Sequence, residues 1–451
     1  MKYKKNVSLF SGNVKCKISR VEPTGERLSA RGGLAWVVRY IEQIGIYELL
    51  ERYFGKLKRT SKGLSPLSII KQILCFFIDG TAFSLVRFDE LREDPGYAGV
   101  IEEPELVSSH TVKRFFRKFN IFLLRNFRFI FHRLFIWRLR IERPSFIVLG
   151  VDTIPLDSSG AKKREGVSYT YKGFYGFQPL VVSWNGLPVD AIFRGGSRHC
   201  NYGDTVKSMI HGLVRLIRKY YDPKVSVLVR MDAGFFDGSN FEFFEELGVY
   251  YVCGGRLDER VIRLGETEKE RGVKFYSSPR ASWEWVEFRD RRRNWAYESR
   301  VIFLWKVSED GQLKLEFARE RSVIYTNLPE DKFSGKVVIG LYHKRGEDEL
   351  FNRAIKDFGT ERMPFKSFES NWAFFYFMLL GFFLWECFRR DVIGAKRYPS
   401  VLRRLFIDIP VKIVSKGRRI ILKVPFWVYK RLNLEALWKK VQRSPPVSLN
   451  A

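Results

Sequence analysis

Two short apolar runs, "FIVLGVD" at 146–152 and "VSVLVRMD" at 225–232, end alike in an aspartate. Each has the length of a buried strand, is too short for a helix, and is dominated by Val, Ile and Leu. Between them "SYTYKGFYGFQPLVVSW" and "LPVDAIFR" alternate like strands of a meander, and helical periodicity follows from about Asp204 to Tyr220. After the second run come a helix near Asn240–Leu247 and the strand-like "VYYVCGG". This order dictates an α/β core and brings Asp152 and Asp232 to the C-terminal tips of comparable strands.

At 451 residues the chain exceeds one ordinary core, and length suggests roughly two to four domains. Residues 1–30 are polar and basic and read as a loose arm. Residues 31–143 are helical, with "LAWVVRYIEQIGIYELLERYF" and "SPLSIIKQILCFFIDG" the clearest segments. The α/β pattern occupies 144–255 and resumes at 321–370. Between these, 256–320 reads as a β-rich insertion carrying "SWEWVEF" and "YESRVIFLWKV". Residues 371–451 read as a helical, basic C-terminal region. The longest apolar run, Trp372–Phe388, is slightly short for a membrane span, contains Glu386 and is full of bulky rings, so it reads as a buried helix. The N-terminus lacks the apolar core of a signal peptide, and five scattered cysteines without a CxxC pair fit a reducing cytoplasm.

Lys and Arg total 79 against 50 Asp and Glu, a net charge of +29 that points to a polyanionic partner, nucleic acid first. In "SSHTVKRFFRKFN" the serines at 108 and 109 are cap residues. Val112, Phe115, Phe116 and Phe119 share one helical face, while Lys113, Arg114, Arg117 and Lys118 make the other purely basic. Such a helix suits DNA, although a solvated charged face explains it almost as well.

The stretch "YHKRGEDELFNRAIKDFG" at 342–359 holds three adjacent acids. On one continuous helix Tyr342, Arg345, Glu349 and Lys356 share a stripe about 60° wide, and Leu350, Phe351, Ile355 and Phe358 form an apolar face. Glu347 and Asp348 fall off the stripe and are expected to do no chemistry. By itself the stretch reads better as a surface helix with an Arg345–Glu349 ion pair. With two strand-borne aspartates, Glu349 completes a three-carboxylate set. Such a set supplies the hard oxygen ligands that Mg²⁺ requires, and two ions about 3.5–4 Å apart can drive phosphodiester cleavage. Asp157 and Asp237 lie nearby in sequence as alternatives.

The spacing Tyr342, two residues, Arg345, three residues, Glu349, six residues, Lys356 resembles the Tyr-Arg-Glu-Lys signature of a large group of bacterial insertion-sequence transposases. "GLAWVVRYIEQIGIYELL", "YKGFYGFQPL", "MDAGFF" and "FKSFESNWAFFYFMLLG" resemble further segments of that group. The resemblance implies a ribonuclease-H-like catalytic core interrupted by a β-rich insertion, with helical N-terminal DNA-binding and helical basic C-terminal regions. It implies that Asp152, Asp232 and Glu349 hold two Mg²⁺, with Mn²⁺ able to substitute, and that Tyr342, Arg345 and Lys356 contact phosphates beside the cleaved bond. The implied function is binding of terminal inverted repeats, cleavage at the 3′ ends and joining to target DNA, in a homodimeric synaptic complex in the cytoplasm, away from membranes. A nuclease of the same fold without strand transfer, or a non-catalytic DNA-binding descendant, are the alternatives. Trp283, Trp285 or Trp295 could stack a flipped base, as in relatives that form hairpin ends, but alternation puts Trp283 and Trp285 on one strand face, which is more often simply the insertion's own core.

Overall fold

A ten-stranded sheet carries the site in the computed structural model, which describes residues 18, 20–58, 63–417 and 419–449. Its strands are β1 (Phe146–Thr153), β2 (Leu180–Trp184), β3 (Leu187–Ile192), β4 (Ser226–Met231), β5 (Tyr250–Gly254), β6 (Lys274–Ser277), β7 (Ala281–Asp290), β8 (Ser299–Glu309) and β9 (Arg321–Thr326), with a short Gln312–Leu313 strand paired to β8. The order is β6-β7-β8-β9-β5-β4-β1-β2-β3. β1, β4 and β5 run parallel, and the strands on either side of them are antiparallel. The parallel register sets Val151 opposite Met231 and Gly150 opposite Arg230, so the two aspartates emerge side by side. Helices Thr205–Tyr220 and Gly238–Leu247 make the crossovers into β4 and β5, as parallel pairing demands.

Residues 256–320 do form strands, and these prolong the same sheet beyond β9. They also contain a helix, Glu259–Glu270, that the expectation of a β-rich insertion did not include. Asp258 caps it by accepting from the Val261 N–H, but Val261 is its sole fully buried apolar side chain, so its sequence shows almost no apolar stripe.

The helix Phe368–Phe388 is buried on every side, which explains its lack of a polar face and makes it a core helix. Its rings meet those of every surrounding layer. Phe374 packs on Phe77 and Phe116, Phe377 on Phe127, Phe375 on Phe193 at the end of β3, and Phe382 on Phe358. Each ring so buried is worth about 1.5–3 kcal/mol relative to exposure. One continuous apolar core therefore runs from the N-terminal helices through this helix to the sheet.

Both ends of the chain depart from expectation. Most of the expected arm, residues 1–17 and 19, lies outside the described residues. Leu28–Ser29, however, pairs antiparallel with Val411–Lys412. The C-terminal region is not wholly helical: Val411–Lys416 and Arg419–Lys423 form a hairpin. Here β-branched Val411, Ile413, Ile420 and Ile421 override the charge content that suggested helix.

Candidate active site

Asp152 is the penultimate residue of β1, and Asp232 follows the last residue of β4. Asp152 is pinned through both oxygens. The Thr153 N–H donates to Oδ1 at 2.7 Å, and Asn352 Nδ2 donates to Oδ2 at 2.6 Å. Burial and then the charge of Asp232 push its carboxyl up to about 6. Asp232 Oδ1 accepts from the Gly234 N–H at 2.9 Å, so it also shapes the turn that carries it. Asp157 and Asp237 make turn contacts of the same kind. Asp157 accepts from the Ser159 N–H, and Asp237 caps the Gly238–Leu247 helix by accepting from the Ser239 N–H.

The stretch 342–359 is not one helix. It breaks at Lys344 into Gly335–His343 and Arg345–Phe358, and Gly346 lies inside the second. Tyr342, Arg345 and Glu349 nevertheless meet across the break. Arg345 Nη2 lies 2.7 Å from Glu349 Oε1. Burial opposes the Arg345 charge, but Tyr342, Glu349, Asp232 and Asp152 together outweigh it and raise its pKa. One guanidinium thus feels all three proposed acids. Burial raises the Tyr342 phenol, and Arg345 opposes the shift. A Cβ on Gly254 would lie 2.5 Å from Tyr342 Oη and 3.1 Å from the Ala233 nitrogen, so the phenol reaches the Asp232 turn only because residue 254 is glycine. Lys356 pairs with Glu361 at 3.0 Å, further along the helix.

The apolar face holds at Phe351, Ile355 and Phe358, but Leu350 is exposed and Asp348 is buried in its place. Asp348 receives a bidentate fork from Arg230: Nε to Oδ2 at 2.8 Å and Nη2 to Oδ1 at 2.9 Å. The two pairs of this helix face opposite environments. Side-chain exposure is 7% and 11% for Arg230 and Asp348, against 30% and 59% for Arg345 and Glu349.

Sequence reasoning missed Asn352 and the Arg230–Asp348 pair. Asn352 was within reach, because it lies one helical turn beyond Glu349. Nothing local links Arg230 to Asp348.

Asp152 and Asp232 offer hard oxygen donors whose mutual repulsion a cation would relieve, which fits a divalent metal. Among the described residues no three His, Cys, Asp or Glu side chains converge as a ready ligand group, and Glu349 is paired with Arg345.

On the predicted basic helix, Ser108 caps Ser109–Phe116 through the Thr111 N–H, and Val112, Phe115, Phe116 and Phe119 are buried. Arg114, Arg117 and Lys118 are exposed and Lys113 is half-buried, while Lys118 Nζ donates to the Leu57 carbonyl at 2.9 Å. Arg92, Arg114 and Lys118 line a groove of about 590 Å³. Trp285 is buried against Gly335. Trp283 sits between Tyr276 and His343, with ring centroids 5.5 and 4.5 Å away. Trp295 packs with Phe236, Phe241 and Tyr325.

Asp152 and Asp232 at adjacent strand tips thus lie in the field of Arg345, which a later helix carries together with its partner Glu349. The family model described as transposase DDE domain group 1 matches residues 11–446, and the chain belongs to that family. No curated protein matches the chain. Among solved structures, a piggyBac transposase synaptic complex with hairpin DNA is 13% identical over 93% of this chain and 84% of that one, with a TM-score of 0.39.

Proposed function

We propose that this transposase binds the terminal repeats of its own element as a homodimer in the cytoplasm, cleaves DNA at the 3′ ends and joins those ends to target DNA. The observation that carries this reading is the position of Asp152 and Asp232 at adjacent parallel strand tips, with Arg345 near enough to feel both and paired in turn with Glu349. The order β3-β2-β1-β4-β5, with β1, β4 and β5 parallel, is what a ribonuclease-H-like core requires and supports that assignment.

Asp152, Asp232 and Glu349 would hold two Mg²⁺, or Mn²⁺ in their place, after Glu349 exchanges Arg345 for metal. When bound, the ions would supply a nucleophile at neutral pH and stabilise charge on the leaving oxygen. Asn352 orients Asp152, and a cation would relieve the repulsion between the Asp152 and Asp232 carboxylates. Freed from Glu349, the Arg345 fork offers two parallel donors to a phosphate, and Tyr342 adds a hydroxyl beside it. Lys356, released from Glu361, adds a point charge to the flanking backbone. The helical region 31–143 would recognise the ends through Lys113, Arg114, Arg117 and Lys118. The packing of Trp285 and Trp295 favours a structural role for both, with Trp283 the candidate for base contact.

The test is cleavage and joining of DNA from the flanks of the reading frame, where inverted repeats are expected. Asp152→Asn and Asp232→Asn should abolish Mg²⁺-dependent cleavage and retain DNA binding, because each removes ligand charge and little shape. Substantial cleavage by either variant removes that residue from the site. Cleavage without joining would make the protein a nuclease.

A further inference from the structure

The three acids come from three elements far apart in sequence, yet metal chemistry needs them set to within about 0.5 Å. One buried cluster lies beneath all three. Gly150 is two residues before Asp152, Arg230 two before Asp232, and Asp348 one before Glu349. Gly150 and Arg230 are register partners across the parallel pair, and Ser183 partners Gly150 from the other side. The Asp348 carboxylate rests on this row. A Cβ on Gly150 would lie 2.6 Å from Asp348 Oδ1 and 2.8 Å from Ser183 Oγ, so the carboxylate occupies the space that any larger residue would fill.

The Arg230 fork also reaches across the break in the helix. While Nε and Nη2 hold Asp348, Nη1 donates to the Leu341 carbonyl at 3.3 Å, one residue before Tyr342. That carbonyl lies in the last turn of Gly335–His343, where carbonyls lack helical partners and a cation is favoured. A single side chain on β4 therefore holds the helix that carries Tyr342 and the helix that presents Glu349.

We infer that Gly150, Arg230 and Asp348 are positioning residues that set the register of Asp152, Asp232, Tyr342 and Glu349 for metal and phosphate binding. The inference rests on the active-site reading above. A buried ion pair is a poor means of adding stability, since apolar residues of similar volume often do as well or better. A planar bidentate fork does fix orientation, which apolar packing does less strictly.

The test measures Mn²⁺ binding to the full-length, DNA-free protein by calorimetry for wild type, Asp348→Asn, Gly150→Ala and Asp152→Asn. Asp348→Asn removes the charge pair, whereas Gly150→Ala keeps every charge and displaces the carboxylate by its methyl group. Both should fold and bind end DNA as wild type does, yet bind Mn²⁺ about 10- to 100-fold more weakly, the usual loss when groups that orient metal ligands are removed. Wild-type Mn²⁺ affinity in a folded Asp348→Asn or Gly150→Ala protein would overturn the inference, and so would failure of both to fold, which would reduce the pair to a stabilising contact. Asp152→Asn separates the two readings. If it loses Mn²⁺ while the other two keep it, only the positioning role fails. If it binds Mn²⁺ as wild type does, the site itself is wrong and the positioning role falls with it.

Discussion

Two arginine–carboxylate pairs end one residue apart on the same helix and differ in almost everything else. Arg230–Asp348 is buried, bidentate and joins elements 118 residues apart. Arg345–Glu349 is a single contact between neighbours on one helix, more than half open on the glutamate side. Breaking the first strands a charge in the interior, whereas breaking the second returns Glu349 to water and leaves Arg345 beside Tyr342, Asp152 and Asp232. The difference separates structure from chemistry: the buried pair can only hold, and the exposed pair can exchange partners. A glutamate proposed to leave its arginine for a metal has to be weakly held.

The largest effect should come from breaking the buried pair. Arg230→Met should cost about 3–5 kcal/mol, read as a fall in denaturation midpoint. Adding Asp348→Leu should recover most of that stability, because no charge is then left unpaired. Cleavage should stay lost in the double variant, and its return would break the contrast between the two pairs.

The next effect is electrostatic. In metal-free protein the Asp152 pKa stands at about 6, above the unfolded value near 3.9. The folded state thus binds the proton more tightly, so stability should fall as pH rises from about 4 to above 6. Asp152→Asn should relieve about 2–3 kcal/mol at pH 8 in EDTA and almost nothing at pH 3. Equal stability of the two proteins at pH 8 would deny that Asp152 is strained by burial and by Asp232.

DNA affinity should fall steeply with salt, as expected of a +29 chain that releases many counterions. Neutralising Lys113, Arg114, Arg117 and Lys118 together should weaken binding and flatten that slope. Unchanged affinity in the folded variant would clear this helix of a role. Smallest of all, Glu349→Gln should shift stability by only about 0.2–0.5 kcal/mol, the worth of an exposed i,i+4 pair. A loss comparable with that of Arg230→Met would mean that the two pairs do not differ as argued.

What the sequence discloses follows from how local each signal is. Asp152 and Asp232 are legible because apolar strands of similar length precede both, and the Phe368–Phe388 helix because twenty-one residues lack a polar face. The cap at Ser108 is likewise local. The break at Lys344 is not, since no proline marks it and the nearby Gly346 is helical. It is legible only through Arg230, which holds Leu341 and Asp348 on either side. Asp348 looks like a surface acid until Gly150 supplies the space for it. The Glu259–Glu270 helix and the 411–423 hairpin escape notice because their charge content masks the few apolar residues that decide their structure.

The proposed catalytic acid among the three neighbours is Glu349. This assignment is tested most directly by assaying Glu349→Gln beside Glu347→Gln on end-containing DNA in Mg²⁺. Glu349→Gln should lose both cleavage and strand transfer while binding DNA as wild type does, and Glu347→Gln should remain active. A Glu349→Gln protein that cleaves at the wild-type rate would contradict the assignment and the alignment of Tyr342, Arg345 and Lys356 around it.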